Sequence, residues 1–258
     1  MRIVGDPNGP TVLLAHGFGC DQNLWRLVTE RLSPRFRVVL FDHVGCGASD
    51  PNAWDDDRYA SLDGYADDIL QIARHLDLRD VTFVGHSVAA MMGVLAVAAD
   101  ADRFANLVLL TPSPSYIDDA DYPGGFTRGD IDELLASLES NYLGWSRAMA
   151  PTIMGTPERP ELGDELAETF CRTDPAMARV FARTTFLSDN RADLHRVSVP
   201  TLVIECARDT LAPRGVGAYV HRHIAKSRLV TLDASGHCPQ LSAPDATAEA
   251  IAAFAGDR

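Results

Sequence analysis

The sequence predicts an α/β fold built on a parallel sheet, and three observations carry that expectation. Short apolar runs alternate with helical patterns through the first half of the chain. The alternation then stops for about 75 residues of helical pattern alone. After that block, strand, loop and helix resume and run to the last residues. With 258 residues, 46% of them hydrophobic, the chain can bury one large core as a single domain spanning 1–258.

Each element has its own justification. TVLLA from Thr11, RVVLF from Arg37, VTFVG from Val81 and NLVLL from Asn106 are almost wholly apolar, as strands covered on both faces must be. Between the second and third, DGYADDILQIARHL sets Tyr65, Ile69, Ile72 and Leu76 at helical spacing, with acidic residues toward its start where they complement the helix dipole. Residues 113–188 hold helical patterns such as ELLASLESNYLGWSRAMA and PAMARVFARTTFL, and read as a helical cap inserted into the sheet domain. PTLVIECARD from Pro200 and SRLVTLDASGH from Ser227 restore the strands, and APDATAEAIAAFA closes as a helix. No repeat, low-complexity tract or Gly/Ser linker interrupts the pattern.

Charge narrows the function. Lys plus Arg number 23 and Asp plus Glu 36, a net charge of −13, which repels phosphate backbones and anionic lipid. Nucleic acid and membrane are therefore poor partners. The five cysteines are scattered, with no C-x-x-C pair or metal-ligand spacing, and read as reduced thiols of a cytoplasmic protein. MRIVGDPNGP has no apolar core of signal-peptide type, and no run long enough to span a bilayer occurs.

Chemistry enters at GHSVA. Ser87 follows an apolar strand and precedes a helical run, so it is either the cap of that helix or a nucleophile held at a sharp turn. The pattern is G-x-S-x-G with Ala89 in place of the last glycine, small enough for helix and strand to stay close. A serine hydroxyl is a weak nucleophile and needs a base, plus an acid that fixes the base's tautomer. In a parallel sheet these belong in loops after later strands, in the order Ser, Asp, His. Asp209 follows TLVIECA and His237 follows RLVTLD. The remaining histidines lack such a position late in the chain, and His221 and His223 point to different helix faces, so no metal site is expected.

An acyl-transfer intermediate also needs two backbone N–H donors. The loop AHGFGCD after the first long strand would supply one from Phe18, and Val88 after the serine the other. VGCGASD lacks the third glycine of a dinucleotide fingerprint and reads as a turn anchored by the Asp42 side chain.

At these residues the sequence resembles the α/β-hydrolase superfamily. More narrowly it is similar to the RsbQ-like group, which spans bacterial stress-response activators and the plant strigolactone and karrikin receptors. The likeness runs through HGFGCDQNLW, FDHVGCGASD, VGHSVAAMMG, TPSPSYIDD, NYLGW, FLSDNRADL and GHCPQLSAPD. It implies a mostly parallel eight-stranded sheet flanked by helices, with a four-helix cap inserted after the sixth strand. It also implies an apolar pocket lined by Phe18, Tyr116, Phe126, Trp145, Met149, Phe186, Thr210 and Leu211.

Two functions are then expected, neither calling for a cofactor. One is a serine hydrolase acting on a small, mostly apolar ester or lactone through an acyl-enzyme. The other, implied by the resemblance, is a signalling protein that binds or slowly hydrolyses a small ligand and activates a PAS-domain phosphatase in stress-response regulation. A weaker reading keeps the fold for C–C bond hydrolysis, perhydrolysis or haloperoxidase-like chemistry. Dehalogenation would need a carboxylate where Ser87 stands. Ala89 and Ala90 depart from the group's pattern and bear on the geometry of the helix after the turn.

Overall fold

The computed structural model describes residues Met1–Gly256. In chain order the strands are β1 (Arg2–Gly5), β2 (Thr11–Ala15), β3 (Arg37–Leu40), β4 (Val81–His86), β5 (Phe104–Leu110), β6 (Thr201–Arg208) and β7 (Ser227–Ser235). The helices are α1 (Arg26–Leu32), α2 (Leu62–His75), α3 (Val88–Ala99), α4 (Arg128–Ser140), α5 (Tyr142–Met154), α6 (Pro160–Cys171), α7 (Pro175–Phe186), α8 (Arg214–His223), α9 (Pro239–Ser242) and α10 (Pro244–Gly256).

The strands form one sheet in the order β1-β3-β2-β4-β5-β6-β7. β1 runs antiparallel to β3, and every other pairing is parallel. Side chains alternate faces along each strand, and the core divides accordingly. Leu13, Val39, Phe83, Leu107, Leu109 and Val203 pack with α2, α3 and the helices α4–α7. Val12, Leu14, Val38, Val84, Val108 and Ile204 pack with α1 and α10 on the other side. Leu13 pairs with Phe83, and Leu109 with Val203, so each face is continuous across the central strands. α3, VAAMMGVLAVAA, is apolar all round because it lies between the sheet and its neighbours.

The expected eight strands become seven among the described residues, and the four long helices follow the fifth strand, not the sixth. The residues ahead of Thr11 form one strand of four residues, β1, and then a turn. Because β2, β4, β6 and β7 are parallel, their carboxyl ends lie along one edge of the sheet. The loops that leave those ends are 16–21, the turn at Ser87, 209–213 and 236–238.

Candidate active site

The turn between β4 and α3 is forced by small residues. Ser87 has φ of 57° and ψ of −124°, a strained combination for a residue with a side chain. Its surroundings hold it there: the Ser87 amide donates to the Leu110 carbonyl at 2.9 Å, and the Ala90 amide donates to the Ser87 carbonyl at 2.9 Å. A Cβ on Gly85 would lie 2.3 Å from the Ala89 carbonyl oxygen, so strand and helix close on each other only because residue 85 is glycine. Ala89, fully buried, fits the close approach that the missing glycine would otherwise serve.

Ser87 occupies the position of a helix cap, yet its hydroxyl caps nothing. Instead it donates to His237 Nε2 at 2.7 Å. His237 Nδ1 lies 2.8 Å from Asp209 Oδ2. A carboxylate only accepts, so the proton sits on Nδ1 and Nε2 is left as the acceptor for the serine. Asp209 is nearly inaccessible, and burial alone would raise its pKa. The His237 charge and hydrogen bond, together with the Ala212 and Leu211 amides, outweigh that and hold the carboxyl below its ordinary range. Those amides reach Asp209 Oδ1 at 3.1 and 2.8 Å.

The backbone of His237 is fixed on both sides. Its carbonyl accepts from His86 Nε2 at 2.8 Å and from Thr111 Oγ1 at 3.1 Å. Its amide donates to the Ile153 carbonyl, at the end of α5, at 2.9 Å. Burial, then the nearby His237, lowers the His86 pKa to about 3, so this ring stays a neutral donor. The place of His86 in the strand gives no sign of this bond to a loop 151 residues away.

Val88 opens α3, so its amide has no helical carbonyl to bond, and Phe18 lies just beyond the β2 ladder. The Phe18 loop is pressed onto the serine turn: a Cβ on Gly17 would come within 2.8 Å of His86 Nδ1 and 3.1 Å of Ser87 Cβ. Tyr116 OH lies 3.3 Å from Ser87 Oγ and donates to it, since the serine proton is directed at His237. The glycine-rich turn after β3 is the structural anchor the sequence indicates, with Asp42 accepting from the Gln22 and Ala48 amides at 2.7 and 3.0 Å.

Above Ser87 is a narrow cavity of about 30 Å³. Of the residues expected around it, Phe18, Tyr116, Trp145, Phe186 and Leu211 line it. Phe126, Met149 and Thr210 do not. Phe126 is half-buried with its amide on the Tyr116 carbonyl, Met149 is half-buried against the core, and exposed Thr210 turns its hydroxyl toward the Thr152 carbonyl. Cys20, His86, Ile153, Phe170, Thr185 and Cys238 also line the cavity; of these, Ile153, Phe170 and Thr185 stand on helices, where spacing alone reads as core. Burial raises the thiol pKa values of Cys20 and Cys238, which keeps both protonated and out of competition with the serine. A larger hollow of about 580 Å³ between α2 and α7 contains none of the three residues around the serine.

Residues 12–250 match the Alpha/beta hydrolase family. The chain belongs to that family. Among its α/β-hydrolase relatives is the strigolactone esterase of Arabidopsis thaliana, 39% identical over 246 residues, or 95% of this chain and 91% of the other. A karrikin insensitive 2 receptor of Petunia hybrida is 39% identical over 248 residues, 96% of this chain and 90% of its own length. A hydrolase from Oleispira antarctica superposes with a TM-score of 0.95 at 40% identity, covering 100% of this chain and 94% of that one. These α/β hydrolases are the RsbQ-like relatives that the sequence resembles. No helix among the described residues is long and apolar enough to cross a membrane.

Proposed function

We propose that the protein is a serine hydrolase that opens a small, mostly apolar ester or lactone. The observation that carries this reading is the chain of two short hydrogen bonds from Ser87 through His237 to Asp209, on a serine that has no capping role. The hydroxyl attacks the carbonyl carbon and passes its proton to His237 Nε2, while Asp209 steadies the imidazolium. The Phe18 and Val88 amides receive the oxyanion. Collapse of the adduct expels the alcohol, protonated by His237, and leaves an acyl group on Ser87. Water then gives a proton to His237 and attacks the acyl carbon; the bond from that carbon to Ser87 Oγ breaks, His237 returns the proton to Oγ, and the acid is released. Relatives named as an esterase and a hydrolase support ester chemistry.

Mixing the protein with p-nitrophenyl acetate and with a panel of short lactones, followed by intact-mass measurement, tests the reading. A covalent adduct on Ser87 is expected, and Ser87→Ala should abolish both adduct and turnover, a loss of at least about 10⁴-fold, with the fold intact. Turnover that survives in Ser87→Ala rules out the serine mechanism.

A second reading has its own support, the similarity to a karrikin receptor across 96% of the chain. In it the ligand is turned over slowly and the resulting conformational change is passed to a protein, of which a PAS-domain phosphatase is one candidate. A partner captured by wild type but not by Ser87→Ala favours signalling. Rapid turnover of one ester with no partner captured favours metabolism.

A further inference from the structure

We infer that Thr185 is a specificity-determining residue, whose hydroxyl donates a hydrogen bond to a second oxygen on the substrate, away from the scissile carbonyl. The inference rests on the hydrolase reading above and names the substrate class more closely: an ester or lactone whose apolar body carries an ether or carbonyl acceptor.

Thr185 lies in the last turn of α7 and lines the same cavity as Ser87. It is 1% exposed, and its Oγ1 is buried with no hydrogen-bond partner. Helical hydroxyls ordinarily return their proton to the carbonyl four residues back. Ser146, Thr169 and Thr247 do so in this protein, to the carbonyls of Tyr142, Glu165 and Ala243. The neighbouring Thr184 gives its proton to the Tyr59 carbonyl at 2.9 Å. Thr29 is also unpartnered, but it stands on α1 and does not line this cavity.

The rest of the wall explains why the missing partner matters. Phe18, Trp145, Phe170 and Phe186 are apolar, and although Ser87, Tyr116, His86 and His237 also line the space, none of their polar atoms forms a hydrogen bond with the Thr185 hydroxyl. An apolar residue of the same shape would fit such a wall without leaving a polar atom unsatisfied. A threonine here is matched when a ligand brings an oxygen to it. A site built to hydrogen-bond a ligand discriminates strongly against the analogue that lacks the partner, because the protein group is then stranded.

The test compares p-nitrophenyl hexanoate with isosteres in which one methylene remote from the carbonyl is an ether oxygen, using wild type, Thr185→Val and Thr185→Ser. Wild type is expected to favour at least one isostere by about tenfold in KM, with kcat little altered. Thr185→Val should reverse that preference by raising KM for the ether and lowering it for hexanoate, and Thr185→Ser should restore it. Binding of the same compounds to the Ser87→Ala protein, read by tryptophan fluorescence, reports the ratio without turnover. Absent hydrolysis with the binding preference intact would therefore count against the hydrolase reading alone. An ether preference that is missing in wild type, or unchanged in Thr185→Val, overturns the assignment of Thr185.

Discussion

The sheet and the four helices above it are held together by different physics. Along the carboxyl edge of the sheet, the proposed catalytic groups are fixed by backbone geometry: a strained serine turn, two amides on Asp209, and both backbone groups of His237 bonded. The helices α4–α7 meet that edge mainly through aromatic packing. The Phe18 ring stands edge-on or tilted against Trp145, Phe170, Phe181 and Phe186, with centroids 5.4 to 6.2 Å away. Hydrogen bonds have few acceptable geometries, whereas packed rings have many alternatives of similar energy. The proposed chemistry therefore sits in the rigid region and the shape of the pocket in the adaptable one. A cavity of about 30 Å³ cannot hold even a small ester, against the several hundred Å³ typical of ligand pockets, so substrate binding requires the helices to shift.

The seam between the two regions is where the contrast is broken most severely. Gly236, just before His237, has φ of +83°, and a Cβ there would lie 1.8 Å from the Met154 carbonyl at the end of α5. Gly236→Ala must push apart the loop and the helix that also receives the His237 amide. A displacement of about 1 Å at the base is expected to cost roughly 100-fold in kcat, together with about 2 kcal/mol or more of stability. Steady-state kinetics and urea unfolding check both. A variant with kcat within twofold of wild type would mean that the His237 loop tolerates movement of α5, and that the rigid region is smaller than described.

Much of the rigid region was legible because its signals are local. An apolar run followed by a glycine, a serine and small residues has few other solutions, and Asp209 and His237 could be found by looking just past the next strands. β1 escaped notice because Arg2–Gly5 is short and mostly exposed, lying along the sheet edge with no run of buried residues. The expected eighth strand and the places of Phe126, Met149 and Thr210 came from resemblance alone, and all four differ here. Cavity residues such as Phe170 and Thr185 could not be told from core by spacing, since which helix face meets the cavity depends on crossing angles. His86, through its ring, and Gly236, through its lack of a side chain, meet the backbone of distant segments, which no local pattern records.

Acidification should separate the two regions next. His16, His43 and His86 are buried beside the serine turn, and burial lowers the pKa of each below the ordinary value of 6.5. The helices between Arg128 and Phe186 contain no histidine. Below about pH 6.5 the unfolded chain binds protons that the folded protein refuses. Stability is thus full above that pH and falls as the pH drops toward 3, where folded His86 finally titrates. The slope from one such group is on the order of 1 kcal/mol per pH unit. Urea midpoints from about pH 7.5 to 5 should fall, and less steeply in His86→Gln, whose amide can still donate to the His237 carbonyl. Equal slopes in the two proteins would mean that His86 takes up a proton without unfolding.

The smallest effect belongs to the polar ties on the outside of the helical segment. Arg26, at the start of α1, forms a two-pronged pair with Glu165 on α6 at 2.5 and 2.7 Å, and the side chains are 37% and 38% exposed. At that exposure the pair contributes only about 0.5 kcal/mol, because water screens the attraction and two long side chains lose freedom to form it. Global stability should therefore barely change in Arg26→Gln. The same fraction of a kcal/mol bears directly on the balance between closed and opened helices, however, since that balance involves only the few contacts across the seam. The expected result is an increase of about twofold in kcat/KM for a bulky ester, little change for an acetate, and no difference between variant and wild type in about 1 M salt, where the Debye length shrinks to roughly 3 Å. An advantage that persists in high salt would assign the effect to altered packing around α1 and leave the Arg26–Glu165 pair with no part in restraining the pocket.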